Sequence, residues 1–244
     1  MSNEFFKTRW QFIKGRNYRS YATIALGELI LLVLGIFIAL QIDNWNQERQ
    51  EKKIIDAYLV LICKDLKADI QSIEELMENR KQALMYTDSI LSYYRNSYIT
   101  DSKLFERGFF SLFIETRFHP NTSAFESLKN SGFIKDLENL EVEEQLNQYY
   151  QLIENISFVE DKFINMTQPL EHSLVLKGFY SEYSQIFKWQ NRDTVIFTIK
   201  SMKKYPEIEA AFIKAKMFQE ELIGNYENLL LKGDETLVLM NNGV

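Results

Sequence analysis

This chain of 244 amino acids has only two histidines and one cysteine, the side chains most often used for metal binding and for acid–base or nucleophilic chemistry near neutral pH. The two histidines, His119 and His172, are far apart and lack the carboxylate spacing typical of a metal site. We expect His119 in a loop, because Pro120 follows it, and His172 on a helix surface. The sequence contains no nucleophile elbow, no phosphate-binding glycine loop and no Cys-x-x-Cys pair. We therefore expect no catalytic, cofactor-binding or metal-binding residues, and we expect that the protein is not an enzyme.

Three further features have both a chemical and a structural interpretation. Arg117 precedes a helix start at Thr122 and would bind a small anion there, although a plain helix cap is the favoured interpretation. The acidic run from Glu141 to Glu144 would hold a cation, but acidic residues are also typical of a solvated first helical turn. The single cysteine, Cys63, lies in an apolar helical run, which favours a buried thiol over an intermolecular disulfide.

An uninterrupted apolar stretch, residues 22–42, organises the chain. It contains one charged residue, Glu28, and is long enough to cross a bilayer, since about 20 apolar residues span roughly 30 Å of hydrocarbon. No small-residue cleavage site and no lipoprotein cysteine follow it, so we expect a retained signal-anchor rather than a cleaved signal peptide. The sequence therefore predicts a cytoplasmic tail at residues 1–20, a transmembrane helix at 21–43 and an extracytoplasmic domain at 44–244.

The charges that flank this stretch predict its orientation. Residues 1–20 carry five basic residues and one acidic residue, whereas residues 43–53 carry three of each. Because Lys and Arg near a membrane stay on the cytoplasmic side, the N-terminus is predicted to be cytoplasmic and the main domain to lie outside. Trp10, Tyr18 and Tyr21 before the stretch, and Trp45 after it, suit the two aromatic belts of a bilayer.

One face of the predicted transmembrane helix is suited to helix–helix packing. Helical spacing places on it Glu28, Leu31, Gly35, Ala39 and Ile42. Gly35 and Ala39 form a small-xxx-small pair, which lets a second helix approach closely. Because an intramembrane carboxylate costs about 2.5–3.5 kcal/mol on insertion scales, we expect Glu28 to be protonated or hydrogen-bonded in such an interface. A proton or ion path and snorkelling of Glu28 towards the cytoplasmic surface remain as alternatives.

The composition is that of an acidic, helix-forming domain. The formal net charge is −6; the tail contributes +4 and Glu28 −1, which leaves −9 for residues 43–244. This charge disfavours nucleic acid and anionic lipid as partners. The chain has only 3 Pro and 9 Gly, and its single cysteine excludes an intrachain disulfide. We expect an all-α fold in which the transmembrane helix runs into a long amphipathic helix, followed by an extracytoplasmic helical bundle.

Apolar residues that recur at steps of three and four predict long helices. The first runs from the membrane to about Asn96, and a break in its periodicity at Arg80 and Lys81 favours a bundle over a two-stranded coiled coil. Residues 101–116 are apolar on most faces and predict a short buried helix.

Two further long helices are predicted in the second half of the chain. One begins near Leu140 and is kinked or ended at residues 167–169 by Pro169, with helix again over residues 170–187. The last begins at Pro206, which suits a first helical turn, and is predicted to end at Gly233.

A short, sharply delimited helix is predicted between these long segments. Pro120 stops the preceding element, Ser123 and Glu126 form a capping box, and Gly132 fits the left-handed position after the helix. Residues 193–199 are rich in β-branched side chains and allow a strand, but a lone strand would lack a partner, so helix is favoured.

A cluster of aromatic residues is the candidate contact surface for a partner or a lipid. It comprises Phe179, Tyr180, Tyr183, Phe187 and Trp189. We expect core packing for such a cluster, and contact with a partner is the alternative if it lines a surface groove.

Two blocks of the sequence resemble an uncharacterised bacterial family. The first is Gly27-Glu-Leu-Ile-Leu-Leu-Val-Leu-Gly-Ile-Phe-Ile-Ala-Leu-Gln-Ile-Asp-Asn-Trp-Asn46, after a short basic tail. The second is Pro120-Asn-Thr-Ser-Ala-Phe-Glu-Ser-Leu-Lys-Asn-Ser-Gly132, followed by Tyr149-Tyr150. The resemblance extends over most of the chain. The members of this family look like single-pass membrane proteins and are classed only as a domain of unknown function. The resemblance implies an inner membrane protein of Gram-negative bacteria, and it implies no activity. In such a bacterium the outer domain predicted from the flanking charges would lie in the periplasm.

Two functions fit this organisation. The favoured one is a structural or interaction protein: an anchored helical bundle, with a coiled-coil-like seam, that forms a homo-oligomer or assembles with other envelope membrane proteins. The alternative is an extracytoplasmic ligand-sensing bundle. Because its cytoplasmic tail has only about 20 residues, such a sensor would signal through a separate membrane partner. An enzyme ranks third.

Overall fold

The computed structural model describes residues 18–96, 112, 116–179, 181, 200 and 203–243. Its elements are helix α1 (Tyr18–Asn96), helix α2 (Ser123–Asn130), a 3₁₀ helix (Phe133–Asp136), helix α3 (Leu140–Leu176) and helix α4 (Pro206–Gly243). These described ranges contain no strand, and the predicted all-α fold is confirmed. The chain divides into two compact units, Met1–Ile54 and Ile55–Val244.

The first unit exposes its apolar side chains along α1. Every residue from 28 to 54 is exposed, and Leu31 exposes 71% of its surface. Among the described residues, α1 is the one helix long and apolar enough to cross a membrane, with a mean hydropathy of 2.6 over its most apolar window. No part of that window is buried, so its side chains form no protein core and suit a lipid environment.

The second unit is built mainly from α1 beyond Ile54, α3 and α4. Sγ of Cys63 lies 3.8 Å from Sδ of Met240, and Asp88 pairs with Lys216 at 2.6 Å. Because residue numbers rise along α1 while those of its contacts fall along α4, the two helices run antiparallel.

The core of this unit consists of large side chains at helical spacing. Each such side chain stabilises the fold by about 1.5–3 kcal/mol when it is fully buried. The most completely buried of them include Ile62, Leu66, Ile73, Phe125, Tyr149, Phe163, Phe212 and Tyr226. The amphipathic periodicity along α1, α3 and α4 therefore does mark the residues that pack together.

The predicted end of the last helix at Gly233 is wrong. Helix α4 continues through Gly233 to Gly243. A Cβ atom at Gly233 would lie 3.2 Å from side-chain atoms of both Ile70 and Tyr149. The close approach of neighbouring helices therefore explains the glycine at this position. This glycine does not mark the helix end that the sequence predicted.

Two predictions about residues that interrupt or cap a helix are also wrong. Pro169 lies inside α3, which continues to Leu176, so the alternative of a helix end at Pro169 is wrong. Buried residues on both sides of the proline, Thr167 and Leu174, keep the helix packed. The predicted capping box is wrong too, because Thr122 occupies the N-cap position without a side-chain hydrogen bond and Ser123 is the first helical residue.

The helix predicted over residues 170–187 is wrong in its extent, because α3 ends at Leu176 and is followed by a turn in which Gly178 has a φ of 74°. Three other helix boundaries agree with the sequence. Helix α1 reaches Asn96, α3 begins at Leu140 and α4 begins at Pro206. Gly132 has a φ of 83°, which is the left-handed conformation predicted for it. Most of the helix predicted at 101–116 lies outside the described residues. Residues 182–199, which include the ambiguous segment 193–199, lie entirely outside them.

Candidate functional site

Residues 116–122, here called the crossing segment, precede α2 and have no regular secondary structure. Because they form no helix, their backbone N–H and C=O groups need partners elsewhere. Three buried charged side chains on α1 and α3 bind this segment, and together they form the most distinctive polar site among the described residues.

Asp69 on α1 is fully buried and binds the end of the crossing segment. Its carboxylate accepts hydrogen bonds from the backbone N of Asn121 at 3.0 Å, from Nδ2 of Asn121 at 2.7 Å and from the Tyr149 hydroxyl at 3.4 Å. The Tyr150 hydroxyl donates to the carbonyl oxygen of Asn121 at 3.4 Å, and its ring stacks on Phe125 with centroids 3.9 Å apart. These contacts join α1, α2 and α3.

Glu160 on α3 binds the middle of the crossing segment. Its two carboxylate oxygens accept from the backbone N of Phe118 at 3.1 and 3.2 Å. Its Oε1 also accepts from the Tyr226 hydroxyl on α4 at 2.6 Å, and all three residues are buried. Hydrogen bonds to an ionised acceptor are shorter and stronger than neutral ones, so Glu160 links α3 firmly to α4.

Arg80 on α1 binds the beginning of the crossing segment and is 3% exposed. Its Nη2 donates to the carbonyl oxygen of Thr116, and its Nη1 donates to Oε1 of Gln219 on α4 at 3.5 Å. The guanidinium carbon lies 5.7 Å from the ring centroid of Phe163 on α3. Asp69 meets α3 near its beginning and Arg80 meets it further on, so α1 and α3 run parallel.

Burial governs the titration of this site. It raises the pKa of Asp69 and of Glu160, while hydrogen bonds from Asn121 and Tyr226 offset part of the respective shift. The positive charge of Arg80 also opposes the upward shift of the Glu160 pKa. Burial further raises the pKa of three tyrosines: Tyr149, Tyr150 and Tyr226. The tyrosines therefore stay protonated and act as hydrogen-bond donors.

The chemistry of this site is directed at the protein's own backbone. The crossing segment and side chains of neighbouring helices are the hydrogen-bond partners of Asp69, Arg80 and Glu160. Among the described residues, no group of three or more His, Cys, Asp or Glu side chains is arranged to hold a metal ion. The arrangement is suited to fixing the crossing segment within the bundle, because removal of any partner would take a hydrogen bond away from a buried charged group.

The candidate helix-packing residues all lie in the first unit. Glu28, Leu31, Gly35, Ala39 and Ile42 are exposed along α1. A Cβ atom at Gly35 would have no neighbour within 4 Å, so the described chain leaves room there for a second helix. Packing through this face stays a prediction.

The candidate aromatic surface is described at one position. Phe179 is 1% exposed, and its ring centroid lies 6.2 Å from that of Tyr205, so Phe179 packs in the core. The other four aromatics lie outside the described residues: Tyr180, Tyr183, Phe187 and Trp189.

The remaining chemical candidates have structural contacts. Arg117 pairs with Asp161 at 2.8 Å. The side chain of Asn139 accepts from the backbone N of Glu141 at 2.9 Å and caps α3, so the acidic run begins that helix. Cys63 is partly buried, and burial raises its pKa, which makes the thiol less reactive. Both histidines are exposed.

Sequence reasoning missed the three buried charges of the site. A usable signal was present, because Asp69 occupies a place between Leu66 and Ile73 where steps of three and four call for an apolar residue. Glu160 has a similar place in α3, and the break in periodicity noted at Arg80 marks the third charge. A charged residue at a core position predicts a buried partner, although its identity depends on the fold.

The site also brings together the two parts of the second sequence block, since the Tyr150 hydroxyl donates to the carbonyl oxygen of Asn121 and the Tyr150 ring stacks on Phe125. A family model matches residues 28–173, more than half of the chain. The chain belongs to a family of unknown function (DUF6090). The range matched by DUF6090 includes Asp69, Arg80, the crossing segment and Glu160, and it ends before α4. Neither the curated proteins nor the solved structures contain a match to the chain.

Proposed function

We propose that this DUF6090 member is a single-pass inner membrane protein whose helical domain lies in the periplasm and serves as a structural or interaction component of a cell-envelope assembly. The observation that carries the proposal is the exposed apolar surface of α1 over residues 28–42, in which no residue is buried. Such a surface is unfavourable in water by about 25 cal/mol per Å², and a bilayer removes that penalty.

The proposed orientation depends on charge. Residues 1–20 carry five basic residues and one acidic residue, and the positive-inside rule keeps such a tail in the cytoplasm. Residues 43–244 carry −9 and would then form the periplasmic domain, where an acidic surface favours neither nucleic acid nor anionic lipid.

An assembly role agrees with how the polar groups of the second unit are used. The buried charges fix the crossing segment, so the site supports a stable scaffold rather than catalysis, and we propose no enzymatic activity. The exposed small residues Gly35 and Ala39 provide a face through which a second transmembrane helix would pack. The partner would be a second copy or another envelope membrane protein.

Crosslinking in native membranes, followed by mass measurement in mild detergent, tests this role. We expect the wild-type chain in a complex heavier than a monomer. The double variant Gly35→Leu/Ala39→Leu should weaken the complex, because the added side chains separate the helices. Val33→Leu, on the opposite side of α1, is the matched control and should leave the complex intact. A wild-type chain that is only monomeric would contradict the proposal.

A ligand-sensing bundle is the second candidate, and one observation favours it. A surface cavity of about 490 Å³ lies between α1 and α4, and its lining residues are Asp88, Leu91, Ser92, Arg95, Ile213 and Lys216. The ammonium group of Lys216 is already paired with Asp88 at 2.6 Å, which leaves less charge for a ligand. A pulldown from native membranes that recovers no signalling partner would eliminate this candidate.

A further inference from the structure

The outward side of α4 carries an apolar stripe with a seven-residue repeat. Its members are Met217, Gly224, Leu231 and Val238. Met217, Leu231 and Val238 expose 56%, 61% and 61% of their surfaces, and a Cβ atom at Gly224 would meet nothing within 4 Å. Because seven residues are nearly two helical turns, these positions form a line along the helix. The opposite side of α4 packs into the core through fully buried residues such as Leu222 and Leu229.

Carboxylates border this stripe on both sides. Glu220, Glu227 and Asp234 follow stripe positions by three residues, and Glu221 and Glu235 follow them by four. All five are exposed. Between Met217 and Met240 the helix has one basic residue, Lys232, against these five acids. An apolar seam with charged borders is the arrangement that selects partners in coiled coils.

We propose that this stripe is the docking site for an amphipathic helix of another envelope protein, one with apolar residues at seven-residue spacing and Lys or Arg at the flanking positions. The proposal rests on the assembly role proposed above and names the chemistry of the partner. Charge complementarity favours this occupant, because basic borders on the incoming helix would face acidic borders on α4.

The same charges argue against two other occupants. A second copy of the chain that docked through this stripe would bring acidic borders against acidic borders, which is unfavourable. An anionic lipid surface would also be repelled. Two of the acids are particularly suited to attract a basic partner, because Glu221 and Asp234 form no ion pair with the described residues. Glu227, Glu220 and Glu235 pair with lysines at 3.6, 3.8 and 3.0 Å, respectively.

A pair of designed helical peptides tests the chemistry directly on the full-length chain in mild detergent. Both peptides carry Leu at seven-residue spacing, one with Lys and the other with Glu at the bordering positions. We expect the wild-type chain to bind the Lys peptide and not the Glu peptide. The double variant Glu221→Lys/Asp234→Lys, which breaks no ion pair among the described residues, should shift the preference towards the Glu peptide. Leu231→Ser should weaken binding by roughly tenfold or more, whereas the exposed Phe158→Ser on α3 should not.

Photocrosslinking in native membranes tests the occupant. A photoreactive residue at Leu231 or Val238 should yield a crosslinked peptide with basic borders from another protein, and the same residue at Phe158 should not. The proposal would be overturned if both peptides bound equally, if neither bound, or if the double variant kept the wild-type preference. Crosslinks between two copies or to lipid would also overturn it. If the native complex persists while Leu231 and Val238 give no such crosslink, this inference fails and the assembly role stands. If no complex exists, both fail.

Discussion

The Tyr226 hydroxyl on α4 donates a 2.6 Å hydrogen bond to Oε1 of Glu160 on α3, and both side chains are buried. The same carboxylate accepts from the backbone N of Phe118. One side chain therefore joins two long helices to the crossing segment, and the stability of the bundle should be sensitive to each of its donors.

Replacing Tyr226 by Phe removes this donor while keeping the ring. We expect the free energy of unfolding to fall by about 1.5–3 kcal/mol, the range for hydrogen bonds to charged groups. Urea unfolding of the full chain in mild detergent measures it. Tyr150→Phe is the matched control, because its hydroxyl makes a longer, 3.4 Å bond to a neutral carbonyl oxygen and should contribute less. Equal losses in the two variants would contradict this ranking.

Replacing Arg80 by Met should destabilise the bundle by about 2–4 kcal/mol, because it leaves the Thr116 carbonyl and Glu160 without their buried cation. Adding Glu160→Gln should produce a total loss smaller than the sum of the two single losses, since the two sites share one network. Strict additivity in this double-mutant cycle would show that Arg80 and Glu160 act independently.

The raised pKa values of Asp69 and Glu160 predict a pH dependence. A raised pKa means that the folded chain binds these protons more tightly than the unfolded chain. Its unfolding free energy therefore falls as pH rises from the ordinary carboxyl value of about 4 through the raised values. We expect wild type to lose stability relative to Asp69→Asn/Glu160→Gln as pH rises through this window, measured as urea midpoints at each pH.

Titratable groups outside the site contribute equally to the pH dependence of both chains, so their contributions cancel in that comparison. Glu207, for example, has a pKa that Lys177 lowers, and it is present in both chains. A difference between the two midpoints that is constant with pH, or that changes in the opposite direction, would show that the two carboxyl groups do not titrate as described.

Two glycines of α4 should respond oppositely to substitution by Ala. At Gly233 the new methyl group would lie 3.2 Å from Ile70 and Tyr149, so we expect a loss of about 1–3 kcal/mol from overpacking. At Gly224 the methyl group meets no neighbour within 4 Å, and the better helix propensity of Ala should stabilise the chain by up to about 1 kcal/mol. A gain at both positions would show that the contact at Gly233 relaxes freely.

Periodicity in the sequence predicted the long helices because burial of one face requires it. The long first helix that ends at Asn96 and the helix starts at Leu140 and Pro206 were correct for this reason. The end at Gly233 was wrong because glycine serves both helix ends and close helix contacts, and only the fold distinguishes the two.

The buried polar site was less predictable for a similar reason. Asp69 and Asn121 are far apart in sequence, and a hydrogen bond between them depends on how α1 lies against the crossing segment. The sequence can mark Asp69 as a polar residue at a core position, but it does not specify the donor that satisfies it.

The most direct measurement of the central claim is thiol labelling in spheroplasts with a membrane-impermeant maleimide. The probe is a Cys63→Ser chain with a single new cysteine, Ser157→Cys, on the exposed side of α3. An anchored protein with a periplasmic domain should be labelled before lysis and should remain in alkali-washed membranes. Labelling only after lysis, or recovery of the chain in the soluble fraction, would contradict the account.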